Sequence, residues 1–303
     1  MIAPPADDAD VPRYWRELGL PGLVDAHVHF LPDRVQAKVW QFFAEAGRNY
    51  GRPWPVHYEL PVDERLATLE RLGVRAFPTL PYPHKPGMAA WLNDEAATFA
   101  DRHPQVLRSA TFFPEPEAPR YVADALDAGA RVFKVHVQVG EFDPRDSMLE
   151  PVWAQLAGSG VPVVTHCGSG PRRGRHTGPG PVTELLERHP ELRLVIAHLG
   201  LPEYGAFLDL AERFEHVRLD TTMFSTDFTE QFAPFDRADL PRLAALRDKV
   251  LLGSDFPSIP YPYAHQLTAL HRLGLGEDWL RAVLWTNGAR LFGLSEESAT
   301  LPG

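Results

Sequence analysis

A single cysteine, Cys167, stands among 303 residues, so no internal disulfide can staple the fold. That scarcity points to a reducing compartment, with the cytoplasm as the expected location. There is no apolar run of the roughly 18 or more residues that crosses a bilayer, and no basic-then-apolar opening of the secretory kind. Positive charge is also short. Thirty Lys and Arg against forty Asp and Glu leave a net charge of −10, which argues against nucleic acid or an anionic membrane as the main partner. A Gly-rich phosphate loop is missing after the first apolar segment, which weighs against a doubly wound dinucleotide fold. Prolines and glycines are scattered and form no low-complexity tract. What is present is 44% apolar and 23% charged residues, enough for a sizeable core in one large domain or two ordinary ones.

Eight apolar segments recur, at 23–30, 75–80, 107–113, 131–139, 161–168, 193–200, 217–223 and 250–256, each followed by a connection long enough for a helix. Helical spacing is visible at 63–72, 89–102, 118–128, 150–157, 182–188 and 204–214, with Asp63 as a candidate N-cap before Leu66, Leu69 and Leu72. Strand alternating with helix eight times predicts a (β/α)8 TIM barrel, α/β in class and a single domain over 21–294. The expected boundaries are a flexible tail at 1–20, a closing helix near 278–294 and a short tail at 295–303. The aromatic connection 31–61 is too long for an ordinary loop. It predicts a local helix around Trp40–Phe43 and a lid over the barrel mouth at 50–58.

The chemistry-bearing residues fall at strand ends, where barrels of this kind place their sites. In Asp25-Ala26-His27-Val28-His29-Phe30, side chains two apart share a face, so His27 and His29 converge while Val24, Ala26 and Val28 pack behind them. Such a pair either begins a metal site or consists of two hydrogen-bonded barrel residues. Lys134 and His136 end the fourth segment, His166 the fifth, His198 the sixth and Asp255 the eighth. Buried imidazoles and charges are costly unless paired or ligated, so their concentration at strand ends predicts a shared purpose.

The ordered motifs Asp-x-His-x-His-Phe, Thr-His-Cys-Gly, Ile-Ala-His-Leu-Gly and Gly-Ser-Asp-Phe-Pro resemble those of the amidohydrolase superfamily. More narrowly, they are similar to the amidohydrolase-related branch that includes aminocarboxymuconate-semialdehyde decarboxylase and related hydrolases. The likeness runs from about Leu23 to Leu294. It implies one divalent ion held by His27, His29, His166 and Asp255 with water in an open position, zinc by donor type and manganese as a substitute. It also implies that His198 handles the proton, with Asp255 counted beside it as both ligand and catalytic residue.

Lys134 has two functional readings, an anchor for a substrate carboxylate or, also drawn from the superfamily, a carboxylated lysine bridging two metals with His198 as a ligand. If the strand phase slips by one, it points outward instead. The three arginines of the loop after His166, Arg172 foremost, predict recognition of an anionic substrate, with a merely solvated loop as the alternative. His136 joins Lys134 on the substrate-facing side. Cys167 is out of phase with His166 and reads as a small buried residue. Asp25 is placed to orient His27, and Asp220 is structural or supports the site. The expected activity is metal-dependent hydrolysis of a small, carboxylate-bearing amide, ester or lactone. Nonoxidative decarboxylation with the same residues is the alternative, and a catalytically silent binding barrel the third. A homo-oligomer is compatible with all three.

Overall fold

The computed structural model describes residues 2–294. Within the described residues the chain packs as two units of discontinuous sequence, one from 2–29, 33–77 and 221–294 and the other from 30–32 and 78–220. Among the described residues no helix is long and apolar enough to cross a membrane.

All eight apolar segments carry strands. In the first unit, β1 (Leu23–Val24) pairs in parallel with β2 (Val74–Pro78), Leu23 opposite Val74 and Val24 opposite Ala76. Beyond β1 the chain stays extended: Ala26 N–H donates to Leu252 O at 2.8 Å, and Val28 bridges Phe256 in parallel. The third segment is split into β3 (Val106–Leu107) and β4 (Ser109–Thr111). At the break the Ser109 hydroxyl donates to Leu107 O at 2.8 Å.

The second unit runs in parallel from β4 through β5 (Val132–His136), β6 (Val163–His166), β7 (Leu194–Ile196) and β8 (Val217–Asp220). Its register separates two faces. Ala110, Phe133, Val163, Leu194 and Val217 form one row, all buried. Helices cover this face: Phe112, on the same side, meets the Trp153 ring at 4.9 Å from the helix Glu150–Ser159. That helix buries Val152, Trp153 and Leu156 at the three- and four-residue spacing of an apolar stripe. A fully buried side chain of this size contributes about 1.5–3 kcal/mol. The opposite row, Thr111–Lys134–Val164–Val195, therefore faces away from the helices. The last strand, β9 (Val250–Leu251), belongs to the first unit.

Two expectations need correction. Residues 11–17 are not tail but a helix, Val11–Glu17, that buries Val11, Tyr14 and Trp15. Its anchor is Gly73 (φ +83°), where any Cβ would lie 2.5 Å from Trp15 Nε1; that nitrogen donates to Leu72 O at 3.1 Å. Asp63 is not the cap of its helix, which begins at Val62 after Pro61, so Asp63 stands in the first turn with Glu64. Carboxylates there still favour the helix through its dipole. The closing helix expected near 278–294 is present: it begins at Glu277, carries a π turn over Ala282–Thr286 and ends at Leu291.

Trp40–Phe43 lies in the helix Asp33–Ala44, as its spacing predicts. The 50–58 stretch is held down on the first unit: Trp54 Nε1 donates to Ser258 O at 2.8 Å and His57 N–H to Ile259 O at 2.8 Å. The tail expected at 295–303 lies outside the described residues.

Candidate metal centre and active site

In the first unit, the extended chain after β1 presents His27 and His29 on one side, ring centroids 5.1 Å apart. Asp255, four residues past β9, brings Oδ1 to 3.1 Å from His29 Nε2 and 3.6 Å from His27 Nε2. One potential ligand atom from each residue lies within 4.8 Å of the other two. Among the described residues this is the one such cluster of three. Two imidazoles and a carboxylate, nearly enclosed, are the donor set a borderline divalent ion takes, so the residues fit the metal.

The main chain holds this geometry. Asp255 adopts φ +68°, unusual for a residue with a Cβ, and its N–H donates to His27 O at 2.8 Å. On one side Ser254 N–H donates to Asp25 Oδ1 at 3.1 Å; on the other, Phe256 N–H donates to Ser254 Oγ at 3.0 Å. His29 N–H donates to Phe256 O at 2.8 Å. Asp25 also accepts His27 N–H at 3.0 Å, so its contact with His27 is to the main chain. Burial raises the Asp25 carboxyl to about 7, against the pull of its hydrogen bonds from Ser254, His27 and Tyr263.

The second unit collects the other strand-end histidines, His136, His166 and His198. His136 and His166 are register partners on β5 and β6, and their rings stack at 3.9 Å with planes 11° apart. Lys134, two residues earlier, shares that face and is fully buried, which removes the outward alternative. His136 Nδ1 accepts Val139 N–H at 3.3 Å and so caps the short helix Val137–Gly140. His166 Nε2 lies 2.9 Å from Gly170 O.

His198 reaches the same group by a different route. Strand alternation assigns Ala197, not His198, to the row of Val195. The chain instead leaves the strand with His198 at φ +57° and Leu199 at φ +49°, and the His198 ring comes to 4.7 Å from that of His166. Its N–H donates to Asp220 Oδ1 at 2.9 Å, which gives Asp220 its supporting place. Close approach of the two strand ends depends on Gly168, where a Cβ would sit 2.4 Å from Leu201 O.

Arg172 lines a cavity of about 360 Å³ with Arg173, Arg175, His176, Gln138 and Glu141. Cys167 is buried, and burial pushes its thiol well above the ordinary range, so it is no nucleophile. Sequence reasoning gave no site role to Asp8, Tyr58, Ser254 and Tyr263, which are joined by hydrogen bonds to one another or to Asp25. Ser254 stands in the Gly-Ser-Asp-Phe-Pro motif and Tyr58 in the 50–58 stretch, but nothing local marks Asp8 or Tyr263, since Asp25 and Tyr263 are 238 residues apart.

A parallel β/α chain with imidazoles and a carboxylate at its strand ends defines a metal-dependent TIM-barrel enzyme. An uncharacterized TIM-barrel protein of Bordetella bronchiseptica shares the fold at 18% identity and TM-score 0.73, over 92% of this chain and 99% of that one. The chain belongs to the amidohydrolase family, whose model matches residues 24–294. A probable 2-pyrone-4,6-dicarboxylic acid hydrolase from Acinetobacter baumannii, with citric acid bound, is 14% identical with TM-score 0.63, over 90% of this chain and 100% of that one. A 5-carboxyvanillate decarboxylase from Novosphingobium aromaticivorans, complexed with manganese and 4-hydroxy-3-methoxy-5-nitrobenzoic acid, is 15% identical with TM-score 0.61, over 92% and 97%. No curated protein matches the sequence.

Proposed function

We propose that the protein is a metal-dependent hydrolase of a small, carboxylate-bearing amide, ester or lactone. The observation that carries this is the His27–His29–Asp255 cluster, three ligand atoms within 4.8 Å of one another. These residues would hold one divalent ion, zinc by donor type with manganese as substitute, and His166 is the fourth ligand in this reading. The Gly170 carbonyl favours the His166 tautomer with its proton on Nε2 and a lone pair on Nδ1, the arrangement usual for ligating histidines. When bound, such an ion makes water acidic near neutral pH and polarises a carbonyl.

The remaining roles belong to the chain. The His198 imidazole takes the attacking water's proton and delivers it to the leaving oxygen or nitrogen. Asp220 holds the His198 backbone while this happens. Lys134 anchors the substrate carboxylate from the face it shares with His136 and His166, and Arg172 draws anionic substrates toward its cavity. The second reading, nonoxidative decarboxylation with the same residues, is supported by the decarboxylase among the structural relatives.

One experiment separates the two. The zinc- or manganese-loaded full chain is offered carboxylated lactones, esters, amides and phenols in ¹⁸O-water. One ¹⁸O atom in the organic product and no carbon dioxide marks a hydrolase; carbon dioxide release with no ¹⁸O in the organic product marks a decarboxylase. Turnover of none of these by metal-loaded protein rejects both.

A further inference from the structure

The first unit contains a run of hydrogen bonds that the proposed chemistry leaves unused, and it ends beneath the metal cluster. Asp25 is fully buried, and both its carboxylate oxygens are engaged. Oδ1 accepts the N–H groups of His27 (3.0 Å) and Ser254 (3.1 Å), and Oδ2 accepts the Tyr263 hydroxyl at 2.8 Å. The Tyr263 N–H in turn donates to the Tyr58 hydroxyl oxygen at 2.7 Å. Tyr58 donates its own proton to an Asp8 carboxylate oxygen, and the other Asp8 oxygen accepts Ala264 N–H at 2.9 Å.

Asp8 therefore does two jobs at one place. It supplies an acceptor for the first turn of the helix Tyr263–Arg272, whose own N-cap position, Pro262, makes no side-chain cap. It also fixes the hydroxyl on which the Tyr263 backbone rests. Tyr58 adds a packing contact, its ring 4.7 Å from Phe256, the residue after Asp255. Every link lies in the same unit as the cluster.

We propose that Asp8 is a positioning residue of the metal centre: through Tyr58 and Tyr263 it holds Asp25, and Asp25 holds the main chain that carries His27 and Asp255 in ligating geometry. The inference rests on the metal reading given above. A buried carboxylate is tolerated only while its donors stay in place, so a shift of Tyr263 is felt at Asp25. The next groups in line are the His27 N–H and the Ser254 N–H. Asp255, held at φ +68°, has little freedom to absorb the change without moving its carboxylate.

The test uses the full chain with zinc alone, its Kd read by chelator competition, together with the visible spectrum of the cobalt(II)-loaded protein and thermal unfolding. Asp8→Ala and Tyr263→Phe should each raise the zinc Kd about tenfold or more, the scale on which groups behind metal ligands act. Both should also change the cobalt absorption. Val11→Ala, which trims a buried side chain outside the network, should lower Tm and leave Kd and spectrum alone. The inference is overturned if Asp8→Ala behaves like Val11→Ala. If Asp8→Ala does not fold, Tyr263→Phe, which removes one oxygen atom, decides by itself: unchanged Kd and spectrum refute the link. His29→Ala separates this inference from its premise. If His29→Ala keeps wild-type zinc affinity, the metal reading fails; if it loses zinc while Asp8→Ala does not, only the positioning role fails.

Discussion

Replacing Asp220 with Ala should impair turnover and stability by separable amounts. The carboxylate is fully buried, and its Oδ1 accepts the His198 N–H at 2.9 Å. A hydrogen bond to a charged group contributes about 1.5–3 kcal/mol. Here it also holds His198 at φ +57°, ψ +30°, a conformation that costs an L-residue about 1–2 kcal/mol. Without the acceptor that cost is less well offset, the turn relaxes, and the imidazole shifts from its place 4.7 Å from His166. In a chain of this size each kcal/mol is about 2 °C in Tm, so the bond alone predicts a fall of about 3–6 °C by calorimetry. Displacing a catalytic group by about 1 Å costs roughly a hundredfold in rate, so kcat should fall on that scale while KM changes little. Asp220→Asn keeps an oxygen for the His198 N–H and should recover most of the lost turnover. If Asp220→Ala retains kcat within about twofold of wild type, His198 is not the proton-handling group or does not depend on this bond.

Two further outcomes follow from the second unit. Lys134→Met should keep one metal per chain and raise KM far more than it lowers kcat; two metals per chain in the native protein, by elemental analysis, would instead make Lys134 a bridging ligand. Gly168→Ala places a methyl 2.4 Å from Leu201 O and 2.7 Å from the Gly200 carbonyl carbon, both main chain. It should cost about 1–3 kcal/mol in chemical denaturation and weaken metal binding, since the same loop carries Gly170 against His166 Nε2.

The parts of this molecule legible in sequence are those written in short-range periodicity. All eight strand segments show as apolar runs, and His27 and His29 declare their shared face because a strand alternates with period two. Lys134 and His136 do the same, and the stacking of His136 on His166 confirms the phase. The Val11–Glu17 helix was hidden by an acidic, proline-bearing opening that resembles a frayed end. Its burial depends on a glycine 58 residues beyond Trp15, and no local pattern encodes that contact. The links from Asp8 to Asp25 are equally silent, since a tyrosine hydroxyl does not announce in sequence which distant group it will meet.

His198 shows most clearly where periodicity fails. Alternation along β7 assigns the inner row to Val195 and Ala197, so a regular strand would turn His198 toward the helices. Its ring reaches His166 only because two consecutive residues with Cβ atoms, His198 and Leu199, take positive φ. Asp255 arrives at the His27–His29 pair by the same device, at φ +68°. Residues of this kind are strained, by about 1–3 kcal/mol each, and persist only where surrounding bonds over-determine them. Those bonds are present at both places: Asp220 on the His198 N–H, and His27 O on the Asp255 N–H with Ser254 Oγ bracketing the next residue. The chain thus spends backbone strain at the proposed proton carrier and at the proposed carboxylate ligand. There the strand's own geometry would have aimed the His198 side chain away from its neighbours.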